Sequence, residues 1–185
     1  MENIRQLHWE RLDNAALIFP ASHRKHWSNV FRISFTMKDM IDPEILQQAV
    51  CCISPRFPTV CSRRRRSAVW YYLEETASPP VVRQESYQPV CHMSREEFRT
   101  VAVRVLYYRN RMTVELFHAV TDGTGGMVFA KNLAAEYIRL YYREEVPLEY
   151  GLKDPKESVP ASELRDSFQD YAGPISAPRD PLDVY

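Results

Sequence analysis

"MTVELFHAVTDGTGGMVFAKNLAAEYIRLYY", residues 112–142, changes its hydrophobic period halfway along, and the fold is read from that change. Residues 112–117 have strand character and follow a second strand-like run, "FRTVAVRVLYY" at 98–108. The intervening "RNR" suits a hairpin loop containing Asn110. Past the glycines, Met127, Ala130, Ala134, Tyr137 and Tyr141 recur at three- and four-residue spacing. Val128, Leu133, Ile138 and Leu140 widen that stripe, which predicts a long helix over about residues 124–143. Between strand and helix lie His118, Asp122, Gly123, Gly125 and Gly126.

Working outward, "NVFRISFTM" at 29–37 sets Val30, Arg32, Ser34 and Thr36 against Phe31, Ile33, Phe35 and Met37, the alternation of a strand with one buried face. Asp42 then stands as an N-cap with Pro43 at the first helical position. In the following "EILQQAVCCI", Ile45, Leu46, Ala49, Cys52 and Ile53 fall on one stripe, and the helix ends before Pro55. "AVWYYLEE" (68–75) and "VVRQES" (81–86) read as short strands on either side of the turn-forming "ASPP". Residues 146–185 are rich in proline and charge and poor in aliphatics, which predicts a linker or extended arm beyond a body spanning 1–145.

A chain of 185 residues with 45% hydrophobic content can bury its own core, so one compact unit is expected. Lys plus Arg and Asp plus Glu are equal at 24 each, so no overall field draws the chain to nucleic acid or to an anionic bilayer. "MENIRQLHWERLDNAALIFP" holds no apolar run long enough for a signal segment or a membrane span, and a cytoplasmic location is expected. Cys51, Cys52, Cys61 and Cys91 have no CxxC spacing, and the first two are helix neighbours whose side chains diverge. Reduced, partly buried thiols are the expectation.

Arg63 to Arg66 form a basic run of the kind that binds phosphates, but in a chain without net charge they read as a solvated loop. His8, His23, His26 and His92 lack ligand-type neighbours and read as surface or packing residues. His118 differs, because a histidine at a strand end projects from a rigid element, and its ordinary pKa of about 6.5 suits proton abstraction at neutral pH. Asp122 either caps the helix or pairs with an arginine. Gly123, Gly125 and Gly126 permit positive φ and close approach. A metal site lacks further ligands beyond His118 and Asp122. A phosphate cradle at the helix start lacks the lysine and glycine spacing of the known loops. A purely structural turn remains a third reading.

"HAVTDG", residues 118–123, has the pattern HxxxDG. With Phe117 before it, the stretch resembles the HHxxxDG motif of the superfamily that includes chloramphenicol acetyltransferase, carnitine acyltransferases, peptide-synthetase condensation domains and alcohol acetyltransferases. "ERLDNAALIFP" (10–20), "RFPTV" (56–60), "VWYYLEE" (69–75) and "LRDSFQDYAG" (164–173) are similar to the alcohol acetyltransferase branch. The resemblance implies an α+β fold, a two-layer sandwich of a mixed sheet covered by helices. It makes His118 the general base, Asp122 structural and Gly123 the residue that leaves room for substrate. Phe117 replaces the family's first histidine.

Two-half members continue into a second half with a DFGWG-like motif, which this chain lacks, so it resembles an N-terminal half. The implied reaction moves an acyl group from acetyl-CoA or another acyl-CoA, a co-substrate rather than a tightly bound cofactor, to the hydroxyl of a small alcohol. No metal is needed. The implied partners are these substrates and a C-terminal half; without that half the chain is expected to be inactive and to expose an apolar docking face, with self-association at high concentration. Two alternatives are a condensation-type enzyme that forms amides from carrier-bound thioesters and a non-catalytic binding or assembly module of the same fold.

Overall fold

In the computed structural model, residues 9–11, 29–66, 71–76, 78–86, 89–160 and 163 are described. In chain order the elements are β1 (Trp9–Arg11), β2 (Val30–Thr36), α1 (Pro43–Ile53), a 3-10 turn (Ser54–Arg56), β3 (Ser62–Arg66) and β4 (Tyr71–Glu75). There follow β5 (Val82–Gln84), α2 (Arg95–Thr100), β6 (Val103–Tyr108), β7 (Arg111–Phe117) and α3 (Gly123–Tyr142). The strands form two sheets, one ordered β2-β7-β6-β5 and the other β1-β4-β3. All pairings are antiparallel except β5 with β6, so the larger sheet is mixed.

The alternation read from β2 holds in three dimensions. Phe31, Ile33 and Phe35 face the same way as Met112, Val114 and Leu116 of β7 and Val103 and Val105 of β6, and α1 and α3 cover them. The two helices start from aspartate caps. Asp42 accepts from the N–H groups of Glu44 (2.9 Å) and Ile45 (3.1 Å), and its own N–H donates to the Tyr137 hydroxyl of α3 at 2.9 Å. That last bond fixes the start of α1 on the flank of α3. The buried stripe of α1 is Leu46, Ala49, Val50 and Ile53. Cys52, expected within it, is exposed together with Cys51, because steps of four from Leu46 and Ala49 place Val50 and Ile53 on the buried side.

Three further expectations are corrected. Residues 98–108 are not one strand, since α2 takes Arg95–Thr100 and β6 starts at Val103. The cause is a capping box: Ser94 accepts from the Glu97 N–H at 3.2 Å, and the Glu97 carboxylate accepts from the Ser94 N–H at 2.8 Å. The arginine run is a strand, not a solvated loop. Arg63 and Arg65 share Oε2 of Glu74 at 2.6 and 3.1 Å across β4, while Arg64 lies over the Phe98 ring at 4.7 Å. "VVRQES" contributes a three-residue strand only. The hairpin turn at 109–110 is as expected, and Asn110 exchanges bonds with Met37 at 2.7 and 2.9 Å.

A second core joins the sheets: Leu73 of β4, Met93, Phe98 of α2, Ala102, Phe117, Ala119 and Val120. The polar face of the larger sheet is covered as well. Glu115 is directly opposite Arg32 on one side and Arg104 on the other, and only 1% of it is exposed. Its oxygens accept from Arg104 at 3.1 Å, Arg32 at 3.4 Å and the Val90 N–H at 2.7 Å. The five N–H groups of Arg104 are used by Glu115, both oxygens of Glu97 and the carbonyls of Cys91 and His92. Residues 143–160 contain no helix or strand, yet Lys153 N–H reaches Asn132 Oδ1 of α3 at 2.7 Å.

Removing Glu115 takes away an acceptor of Arg32, Arg104 and the Val90 N–H while Arg32 keeps Glu85 and Arg104 keeps Glu97, so Glu115→Ala is expected to lower the unfolding free energy by about 1–3 kcal/mol in urea titration. Glu85 adds an acid limb. Burial raises its carboxyl, but bonds from Arg32 and Arg111 outweigh burial and hold it below the usual range. Stabilisation from a depressed acid is complete above the unfolded value of about 4.5 and is lost as pH falls through the lower folded value. Thermal midpoints measured below pH 4.5 should therefore fall less steeply in Glu85→Gln than in the parent.

Candidate functional site

β7 ends at Phe117, and His118 is the first residue beyond it. The His118 N–H donates to the Asn29 carbonyl at 2.8 Å, and Val120 N–H closes the turn on Phe117 O at 2.9 Å. Ala119 and Val120 are buried in the second core. The main chain at His118 is thus held from both sides while its side chain stays partly exposed. Its ring meets Phe31 of β2 at a centroid distance of 5.1 Å and an interplanar angle of 56°.

Asp122 caps α3. Its Oδ1 accepts from the Gly125 N–H at 2.7 Å, and its carbonyl accepts the first helical bond from Gly126 at 2.9 Å. Among the described residues no arginine is paired with it. This geometry bears on the phosphate-cradle reading, since a carboxylate already occupies the helix start where an anion would sit.

The glycines differ from one another. None of Gly123, Gly125 and Gly126 has positive φ, so backbone freedom is not why they are there. A Cβ on Gly123 would meet nothing within 4 Å, whereas on Gly125 it would lie 2.1 Å from Thr121 Oγ1. On Gly126 it would lie 2.7 and 2.8 Å from two carbons of the Phe31 ring and 3.3 Å from Leu116 Cδ1. Gly126 therefore serves close packing, whereas Gly123 is exposed and has no close neighbour among the described residues.

Phe117 stands where the resembled motif has its first histidine. Strand alternation turns its side chain away from α1 and α3 into the second core, where it is fully buried with its ring 4.5 Å from Phe98 of α2. His118 and Asp122 are brought to one turn, while His92 lies in the segment held by Arg104, which donates to its carbonyl at 3.1 Å. His8, His23 and His26 lie outside the described residues, as does "LRDSFQDYAG". Among the described residues no three His, Cys, Asp or Glu side chains are placed to hold a metal ion. Burial pushes the Cys61 thiol up to about 12, so it is neutral near pH 7 and not a nucleophile. No helix among the described residues is long and apolar enough to cross a membrane. Sequence reasoning missed Phe31 as a neighbour of His118, since that contact depends on the pairing of β2 with β7.

Substitutions at two positions test this geometry. Asp122→Ala is expected to cost about 1 kcal/mol and Asp122→Asn almost nothing, because asparagine caps as well as aspartate. Phe117→His, which restores the motif's first histidine, buries an imidazole against Phe98 and is expected to lower stability by at least about 2 kcal/mol. Thermal or urea unfolding of the three variants checks both.

No protein-family model matches the sequence. No curated protein matches it either. Solved structures do. The condensation domain from Monacolin K polyketide synthase matches with a TM-score of 0.59 and 13% identity over 89% of this chain and 40% of that one. The epimerization domain from the third module of tyrocidine synthetase B gives 0.57 and 12%, again over 89% and 40%. Polyketide synthase associated protein 5 from Mycobacterium tuberculosis gives 0.54 and 16% over 82% and 36%. The chain spans roughly two fifths of the length of these structures. At such identities the likeness is one of fold, and the fold is the α+β arrangement of mixed sheet and helices shared with condensation domains.

Proposed function

We propose that the chain is the N-terminal part of an acyltransferase that moves an acyl group from a thioester to a hydroxyl, with His118 as general base. The observation that supports this best is the placing of His118. It is the first residue past the inner strand β7, partly exposed, on a turn anchored at both ends. A side chain so held can accept a proton without the main chain moving.

In this reading a neutral ring nitrogen of His118 takes the hydroxyl proton as the oxygen attacks the thioester carbonyl. The tetrahedral intermediate collapses with cleavage of the C–S bond, and the thiolate leaves with the proton that His118 returns. The products are an ester and a free thiol, with no acyl-enzyme and no metal. The donor is acetyl-CoA or another acyl-CoA and the acceptor a small alcohol. Asp122 fixes the start of α3, and Gly123 leaves the approach to His118 open. Residues 1–145 form the body and 146–185 an arm toward a C-terminal half that completes the site.

A second reading, favoured by the condensation domains among the similar structures, has the same base serve carrier-bound thioesters and an amine acceptor. A non-catalytic module of the same fold is a third.

Thioester cleavage tests all three. The chain, and the chain extended by whatever follows Tyr185 in its reading frame, are given acetyl-CoA with alcohols and carrier-bound thioesters with amines. Little turnover is expected from the 185 residues alone. The extended protein should be active with acetyl-CoA and an alcohol, and His118→Ala should lower its rate by about 10²–10⁴-fold. Robust turnover by the chain alone refutes the half-site reading, and an unaffected His118→Ala variant removes His118 from the mechanism. Activity only with carrier-bound donors selects the second reading, and none in either form selects the third.

A further inference from the structure

We infer that Phe31 and Gly126 form the seat that orients the His118 ring, which makes them positioning residues of the site although neither belongs to the HxxxDG stretch. The catalytic meaning of this seat rests on the reading of His118 as base; the seat itself does not.

The geometry runs through three elements. The register of β2 on β7 sets Val30 opposite Phe117 and Phe31 opposite Leu116, which brings the Phe31 ring to the helix-facing side at the very end of β7. There α3 passes over it at Gly126, the fourth residue of the helix. A Cβ at that position would come within 2.7 Å of one ring carbon and 2.8 Å of another, well inside contact distance. The same Cβ would also lie 3.3 Å from Leu116 Cδ1, on a side chain that is fully buried. The Phe31 ring is also in contact with His118, at 5.1 Å between centroids.

The His118 backbone is already fixed by the bond to Asn29 and by the buried residues that follow it. Phe31 bears on the direction of the imidazole, as a ring neighbour of His118. A tilted aromatic neighbour does this through its quadrupole and its shape, favouring edge-to-face over other rotations. A methyl group on Gly126 displaces Phe31 and transmits the displacement to His118. Glycine at 126 is then a requirement of the site rather than of helix formation, which it disfavours.

The test reads the ring directly in the 185-residue chain. Carbon-13 histidine labelling gives the ring proton and carbon resonances, and loss of a peak in His118→Ala assigns His118. In the parent, these protons are expected to be displaced from those of a free imidazole by the Phe31 ring current. Phe31→Leu should remove that displacement and Gly126→Ala should change it. Phe35→Leu, a loss of the same ring from the same face of β2, should leave it unchanged. A folded Phe31→Leu with unchanged His118 resonances overturns the seat, and that outcome does not depend on Gly126→Ala folding. In the extended protein, Gly126→Ala should lower kcat by about 10- to 100-fold with a smaller change in KM. An inert His118→Ala there would sink the base and leave the seat standing, whereas unchanged resonances would sink the seat and leave the base.

Discussion

A buried carboxylate in the middle of a sheet has to be neutralised where it stands, and much of this molecule is arranged around Glu115. It lies on β7 between Arg32 of β2 and Arg104 of β6, directly opposite both. In that setting each charge is costly alone and tolerable only with its partners in place. The consequence is register. Sliding β2 or β6 by one residue turns every side chain to the other face and would set an apolar residue against Glu115. Arg104 extends the constraint beyond the sheet, since its remaining donors hold Cys91, His92 and Glu97, the segment that leads into α2. The position of Phe98, and through it the packing of Phe117, follows from the same guanidinium.

The parts of the fold that were legible in the sequence are those in which one local signal spoke without competition. β2 alternated cleanly, Asp42-Pro43 marked a helix start, and the stripe of α3 ran for about four turns. Where two local signals overlapped, the wrong one was read. Ser94 and Glu97 stand three apart ahead of Phe98, a capping-box spacing, but the run of β-branched and aromatic residues beyond them masked it. The arginines of β3 read as solvated because their partners are elsewhere: Glu74 on β4 neutralises two of them, and Phe98 on α2 receives a third. A strand made of charges is stable only in the presence of its neighbour, and single-sequence periodicity holds no record of neighbours.

The site divides in the same way. His118, Asp122 and the glycines lie within nine residues and could be picked out together. Phe31 lies far upstream, and its contact with His118 exists only because β2 pairs antiparallel to β7 in one register. Among the glycines, spacing alone ranks Gly123 first, because it completes HxxxDG. Packing ranks Gly126 first, because only there would a side chain meet an aromatic ring already enclosed by a helix and a strand.

The same alternation explains why a phenylalanine can stand before His118. Along β7 successive side chains point to opposite faces, so Leu116 enters the core under the helices and Phe117 the core shared with α2 and β4. The sheet ends there, and His118 is the first residue released from both cores. Three residues then bring the chain from strand to helix, with Ala119 and Val120 buried as it turns, before Asp122 caps α3. The spacing from His118 to Asp122 is thus the length of one anchored turn. A residue at position 117 is answerable to Phe98 and a residue at 118 to the space beyond the sheet. In this fold the two neighbouring positions have separate physical tasks, core packing at 117 and partial exposure at 118.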